Sequence, residues 1–149
     1  MTENVTGYNW KLEVGAASGT SLPAIGSDTF TQILDIEDLE PPSSTRETQE
    51  WYVLDQAASK KIPGSLTYDP CVATLTRAYG DTGHNRLEDD ATSASPVRRN
   101  YRITASDTGA EVRTWQGYCT KFKISSVTNQ DRAKVEVEIT VDGSVVITR

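Results

Sequence analysis

Ala133-Lys134-Val135-Glu136-Val137-Glu138-Ile139-Thr140-Val141 alternates without a break. Successive side chains of an extended strand point to opposite faces, so Ala133, Val135, Val137, Ile139 and Val141 share one side while Lys134, Glu136, Glu138 and Thr140 share the other. That is a half-buried strand. Asp142-Gly143 follows as a tight-turn signal, and Val145-Val146-Ile147 closes the chain. Upstream, Asn100-Tyr101-Arg102-Ile103-Thr104 and Glu111-Val112-Arg113-Thr114-Trp115 flank Ser106-Asp107-Thr108-Gly109, a turn composition suited to a hairpin. The second strand runs on to Ile124, and Gly117 inside it marks a bulge or a close backbone contact. A turn at Asn129-Gln130-Asp131 leads back to the alternating strand.

The same reading extends toward the N-terminus. Tyr8, Trp10, Leu12 and Val14 alternate with Asn9, Lys11 and Glu13 in another half-buried strand, and the small, glycine-rich stretch from Gly15 to Gly26 is a loop. Residues 29–36 form a strand with Phe30 in phase with Gln32, Leu34 and Ile36. Ser65-Leu66-Thr67-Tyr68 begins one more, which Pro70 turns into an edge strand, a bulge or a strand end. Helical potential is confined to residues 72–94, chiefly Arg86-Leu87-Glu88-Asp89-Asp90-Ala91, and supports at most one short helix. The expected fold is mainly β: a two-sheet β-sandwich or barrel of seven or eight strands with one short flanking α-helix, a single domain over residues 1–149.

Between the strands at 29–36 and 65–68 lies an excursion with no long apolar run, expected as a long protruding loop over about residues 37–63. Roughly twenty structureless residues in so small a domain call for a use. Pro41-Pro42 and Pro63 read as rigid exits that aim the loop outward. Trp51, Tyr52, Leu54 and Ile62 gain a purpose if they anchor an interface with a partner. The bland alternative is that Trp51 and Leu54 fold back on their own domain.

Composition narrows the function classes. A hydrophobic fraction of 36% with 24% charged residues fits a globular domain rather than a disordered or membrane protein. No apolar run approaches the ~18 residues that span a bilayer. Met1-Thr2-Glu3-Asn4-Val5-Thr6 lacks a signal-peptide pattern, so the expectation is a protein made and kept in a cytoplasm. Cys71 and Cys119 read as free, buried thiols, with a disulfide as the alternative outside a cell. The net charge of −6 is uneven: residues 1–55 carry −8 and the remainder +2. Such an asymmetry lets copies attract head to tail, although a solvated acidic surface is the simpler reading.

Candidate chemistry is sparse. His84, the only histidine, lies in Gly83-His84-Asn85 and reads as a solvated loop residue rather than a general base. Neither a Ser-His-Asp set nor a Gly-x-Ser-x-Gly elbow can be assembled, and two cysteines with one histidine do not make a structural zinc site. Glu88-Asp89-Asp90 lacks the glycine and alternation of a calcium loop and reads as a solvated helix start. The glycines from Gly15 to Gly26 lack the Lys-Ser/Thr ending of a phosphate loop. No catalytic residue, metal or cofactor is expected. Residues 97–134 hold eight bases, among them Arg98, Arg99 and Arg102, against three acids. A pI near 4.8 favours a solvated or subunit-facing stripe over a DNA-binding one.

Several segments, in order and spacing, carry a family likeness: Ile36-Glu37-Asp38-Leu39-Glu40-Pro41-Pro42, Arg46-Glu47-Thr48-Gln49-Glu50 leading to Val53-Leu54-Asp55, Lys61-Ile62-Pro63-Gly64, Tyr101-Arg102-Ile103, Trp115-Gln116-Gly117-Tyr118 and the Lys134-to-Val141 strand. In this ordering, from Asn9 to about Thr148, the chain resembles the tail tube (major tail) proteins of long-tailed bacteriophages. The resemblance implies a structural, non-enzymatic virion protein, assembled in the host cytoplasm. Six copies close into a ring, and rings stack into the hollow tube that conducts the genome during ejection. It implies self-association through the long loop, here Leu39, Pro41, Pro42, Trp51, Tyr52, Leu54, Ile62 and Pro63. It also implies contacts with tape measure, tail terminator and tail tip proteins, DNA passing without specific binding through a lumen, and no membrane. Glu136 and Glu138, on the polar side of the most regular strand, are the candidates for the lumen face, with outer solvent as the alternative. The competing readings are a monomeric β-sandwich binding module, for instance for carbohydrate through Trp10, Trp51 and Trp115, and a small β-sandwich hydrolase.

Overall fold

The computed structural model describes residues 10–19, 21–52, 54, 59–105, 111–129 and 132–149. Tyr8, the turn at Ser106-Asp107-Thr108-Gly109 and the turn residues Gln130 and Asp131 lie outside them. Among the described residues nine strands and one α-helix follow in chain order: β1 (Lys11–Gly15), β2 (Phe30–Gln32), β3 (Ile36–Glu40), β4 (Ser44–Trp51), β5 (Lys60–Tyr68), β6 (Cys71–Thr76), α1 (Thr82–Thr92), β7 (Arg98–Ala105), β8 (Glu111–Ser126) and β9 (Lys134–Thr148). Seven strands form one antiparallel sheet in the order β2-β1-β7-β8-β9-β6-β3, and β4 pairs with β5 in a separate two-stranded sheet. The fold is mainly β with two sheets and one helix. Among the described residues the sheet does not close into a barrel, because the outermost strands β2 and β3 are not bonded to each other.

Covalent geometry folds the large sheet onto itself. Only Ile33, Leu34 and Asp35 separate β2, at one edge, from β3 at the other. Four Cα steps span at most about 15 Å, whereas seven flat strands would be roughly 29 Å across. The sheet therefore curls. The long strands β8 and β9 serve both halves, β7 flanking one half of β8 and β6 one half of β9. Strands that pass between two packed layers bend at bulges, and the β8–β9 register slips at three places, between Thr114 and Gln116, Cys119 and Lys121, and Ile124 and Ser126. Gly117 lies between the first two slips, where a Cβ would collide with the Thr140 carbonyl. It is a close backbone contact flanked by bulges.

The enclosed core draws on every layer: Leu12 and Val14, Ile33, Cys71, Ala73 and Leu75, Leu87 of α1, Tyr101 and Ile103, Trp115 and Cys119, and Val135, Val137 and Ile139. The alternation of β9 is as expected, with Val135, Val137 and Ile139 fully buried. The helix falls within the expected interval. Asp81 caps it, accepting from the His84 backbone N–H at 3.2 Å.

Three local expectations are corrected. The strand at 29–36 is broken: Asp35 takes a left-handed φ of +58°, and Ile33 is buried while Leu34 faces water. Asp142-Gly143 is not a turn, because β9 continues through it. Gly143 has a φ of +96°, and β9 gains extra residues against β8 between Asp142 and Val146, which is a bulge. The excursion is largely strand rather than loop. Ile36–Glu40 belongs to the large sheet, and the protruding part is the ribbon of β4 and β5, residues 44–51 and 60–68.

Candidate assembly surface

β8 and β9 are longer than the strands beside them, and each leaves half its length unflanked. β8 pairs with β7 only as far as Tyr118, yet with β9 as far as Ser126. β9 pairs with β6 only over 134–139, yet with β8 as far as Thr148. Residues 119–126 of β8 and 140–148 of β9 therefore each have one side without a strand among the described residues, on opposite sides of the pair and at opposite ends. Ile124, Val146 and Ile147 are 47%, 54% and 42% exposed along these segments. Where β7 stops, a groove of about 460 Å³ opens between residues 93–97 and Tyr118, Thr120 and Thr140, alongside the free flank of β8. Unpaired edges of this length are templates for another strand.

The β4–β5 ribbon is exposed on both faces along β4 and nearly all of β5. Its register pairs Arg46 with Leu66 and Thr48 with Pro63, the extra residue in β5 forming a bulge. Alternation from that register sets Trp51 beside Ile62 on one face and Leu66, Pro63 and Tyr68 on the other. An isolated two-stranded ribbon is marginal in water, and this one carries apolar side chains on both faces.

The residues singled out in the sequence divide into two groups. Leu39 sits in β3 opposite Ala73 and packs against the core, and Pro42 is buried with Pro41 half-buried at the root of the ribbon. Trp51, Ile62 and Pro63 belong to the ribbon, and Tyr52 and Leu54 follow at its end, with Tyr52 78% exposed. Pattern reading missed Leu66, the β8 flank and the Val146–Ile147 edge. The available signal was strand length, since β8 and β9 run 16 and 15 residues.

Glu136 and Glu138 lie on the outer face of β9, where charges are paired within the subunit. Glu136 bonds Lys121 at 3.1 Å, and Lys121 is in register with Glu138. Lys134 donates to both oxygens of Glu37 at 2.6 and 2.7 Å, and this bond, ahead of one from Thr76, holds the Glu37 carboxyl below 4.5. Glu13 pairs with Arg102 at 2.6 Å and Asp35 with Arg132 at 3.7 Å. Three acids of the N-terminal third are thus paired with bases of the C-terminal third inside one molecule, which offsets part of the acidic surplus of residues 1–55. Arg98 and Arg99 are likewise engaged, with Asp142 and Asp90.

The titratable groups of the interior are structural. His84 is fully buried, not solvated: Nδ1 accepts from the Ala78 N–H at 3.2 Å, so Nε2 carries the proton and donates to the Leu34 carbonyl at 2.6 Å. It ties the start of α1 to the link between the two sheet edges. Glu88-Asp89-Asp90 occupies the second half of α1 rather than a helix start; Asp90 is buried against Arg99, and Glu88 bonds Arg77 at 2.7 Å. Burial pushes the Cys71 and Cys119 thiols up to about 12. Both are free. Among the described residues no three His, Cys, Asp or Glu side chains converge on a metal-sized site, and no helix is long and apolar enough to cross a membrane.

No protein-family model matches the chain, and no curated protein matches it. Solved structures match over nearly its whole length. A chain of the anti-feeding prophage baseplate, six-fold symmetrised, superposes with a TM-score of 0.75 at 7% identity, covering 99% of this chain and 97% of that one. A chain from the tail of an empty gene transfer agent particle, refined helically with C6 symmetry, gives 0.67 at 15% identity, covering 97% and 98%. The SPP1 tail tube gives 0.61 at 16% identity, covering 97% of this chain and 78% of that one. At these identities the likeness is one of fold: the chain has the fold found in tail tubes of phage-like and contractile injection systems.

Proposed function

We propose that this chain is a structural subunit of a tail tube, with no enzymatic role. Six copies close into a ring, and stacked rings form a hollow tube that conducts the genome into the host. The observation that carries this reading is the pair of unflanked half-strands, residues 119–126 of β8 and 140–148 of β9. Because β8 and β9 are antiparallel and their free flanks lie on opposite sides, rotating one copy brings its β8 flank antiparallel to the β9 flank of the next. A closed ring of such contacts covers both of these flanks in every copy. The six-fold and C6 symmetries of two matched structures support a hexamer. The ribbon, with Trp51 and Ile62 on one face and Leu66 on the other, is the arm that buries itself on a neighbouring subunit or ring. Glu136 and Glu138 face the lumen in this reading. The pairing of Glu136 with Lys121, which stands in register with Glu138, lowers the net charge of that wall, over which DNA slides without specific binding. Tape measure, terminator and tip proteins are the further partners; the location is the virion tail, assembled in the host cytoplasm.

The monomeric binding module is the weaker reading. Trp115 is buried and Trp10 packs against the core, which leaves Trp51 as the one exposed tryptophan among the described residues. Light scattering and negative-stain microscopy test the choice. The purified protein should form rings or tubes as concentration rises, and Ile124→Lys and Val146→Lys should stay folded and monomeric. A parent protein that remains a 16.3 kDa monomer at high concentration refutes the tube assignment.

A further inference from the structure

The β4–β5 ribbon is not an independent hairpin. In the large sheet, β3 pairs with β6 through Asp38 opposite Thr74 and Glu40 opposite Val72. Beyond Pro41-Pro42 and Asp69-Pro70, Ser44 stands opposite Tyr68 and Arg46 opposite Leu66, with no slip of register. The Asp69 N–H bonds the Ser43 carbonyl at 2.8 Å and the Ser43 hydroxyl bonds Asp69 Oδ2 at 3.0 Å, so the ladder is continuous across the break. β3–β4 and β5–β6 are one long ribbon. Its inner half is bonded along β6 to β9, and the last such pair is Cys71 opposite Ile139. There the ribbon peels away, one residue from Pro70, which has no N–H to give a ladder.

Two unpaired edges result, and they share a register by construction. Continuing the Cys71–Ile139 pairing would place Tyr68 opposite Asp142 and Leu66 opposite Ser144. We propose that, in the free subunit, residues 64–68 of β5 zip onto residues 142–146 of β9 and cap the edge that the next subunit needs. The splayed ribbon seen here is the assembly-competent position. This rests on the assembly reading above and adds its regulation. The cap is weak by design: Pro63 has no N–H for a longer zipper and the β9 bulge at 143–145 disturbs it. It is also intramolecular, and a short tether gives it an effective concentration on the order of mM. Dilute subunits therefore stay capped, and a growing ring end, offering the longer flank at 119–126, displaces the cap and frees the ribbon for its own contact.

The test is a cross-link between Leu66→Cys and Ser144→Cys, mapped by mass spectrometry in dilute protein. The disulfide should form in the monomer, block association, and release it on reduction, with the reduced double variant as the reference for the oxidised one. In unmodified dilute protein, hydrogen exchange of amides 142–146 should be at least about tenfold slower than that of amides 121–124. A monomer in which the pair does not cross-link, an oxidised form that associates as fast as the reduced one, or equal exchange at the two edges overturns the cap. Failure of the parent to associate under any condition overturns the tube reading instead, and the exchange comparison still decides the cap.

Discussion

Gly117→Ala isolates the contact on which the bend of the long strands depends. A methyl at this position comes far inside 3.0 Å of the Thr140 carbonyl oxygen. The obstacle is backbone, so no rotamer relieves it. Separating β8 from β9 here lengthens about two ladder hydrogen bonds at ~1 kcal/mol each, and the displaced strands add roughly 1–2 kcal/mol of packing strain. The expected loss is about 3 kcal/mol. For a chain of this size each kcal/mol lowers the melting temperature by about 2–4 °C, so the fall is roughly 6–12 °C. Gly143→Ala is the control, because nothing lies within 4 Å of its Cβ position. Only its φ of +96° is penalised, by about 1–2 kcal/mol, less the few tenths returned by a stiffer unfolded chain. Calorimetry on both variants reads the difference. If Gly117→Ala melts within about 2 °C of the parent, or below no more than Gly143→Ala does, the close approach does not hold β8 to β9 as argued.

Asp90→Ala takes the carboxylate from the half-buried Arg99 guanidinium, which keeps the Gly15 and Ala16 carbonyls, and should cost about 2 kcal/mol in urea denaturation, while Asp90→Ala with Arg99→Met should cost less than the two single changes added. His84→Phe leaves the Ala78 N–H and Leu34 carbonyl without partners and should lower stability by about 2–4 kcal/mol by the same measurement. Cys71 and Cys119, held near 12 against 9.0 for a free thiol, should resist a thiol-specific chromogenic reagent at pH 8 until the protein unfolds. Since the unfolded thiols ionise first, stability should fall as pH rises from 9 toward 12. The Glu37 carboxyl should titrate below 4.5 by NMR and move back up in Lys134→Met. The stability it lends is present above pH 4.5 and lost as pH falls through its folded value, so parent and variant should converge in acid.

What could be read in advance was whatever depends on one buried face. Ala133 to Val141 is legible because half its side chains enter a core, and the helix at Thr82–Thr92 because no strand pattern competes there. β4 escaped because Ser44 to Trp51 is polar on both faces, and periodicity detects only strands with one side buried. Asp142-Gly143 signalled a positive φ correctly. A tight turn and a bulge both need that backbone, and only the ladder on either side distinguishes them. Ile33 to Asp35 was misread because a left-handed Asp35 resets the alternation at one residue, which no neighbouring pattern announces. His84 was misplaced because its burial comes from a carbonyl fifty residues earlier in the chain, Leu34, a contact the curl of the sheet creates.

Length mismatch ties these pieces together. A sheet that needed only to enclose its own core would trim β8 and β9 to the reach of β7 and β6, because each unflanked residue leaves backbone groups without strand partners and offers a template to other chains. Here both strands overrun, in opposite directions, and the ribbon that could have covered the β9 overrun is bent off it at Pro41-Pro42 and Pro70. Part of the charge is already engaged, since Glu13, Glu37 and Glu136 are spent on Arg102, Lys134 and Lys121 within the subunit. Also on offer to a second copy are backbone hydrogen bonding along two edges and apolar area on the ribbon. Both are short-ranged and far less weakened by salt than ion pairs are. Association driven this way should persist at 1 M salt and fail when Val146 or Ile124 becomes lysine. The reverse outcome, tubes that dissolve in salt and tolerate both lysines, would locate the interface on a different face of the molecule.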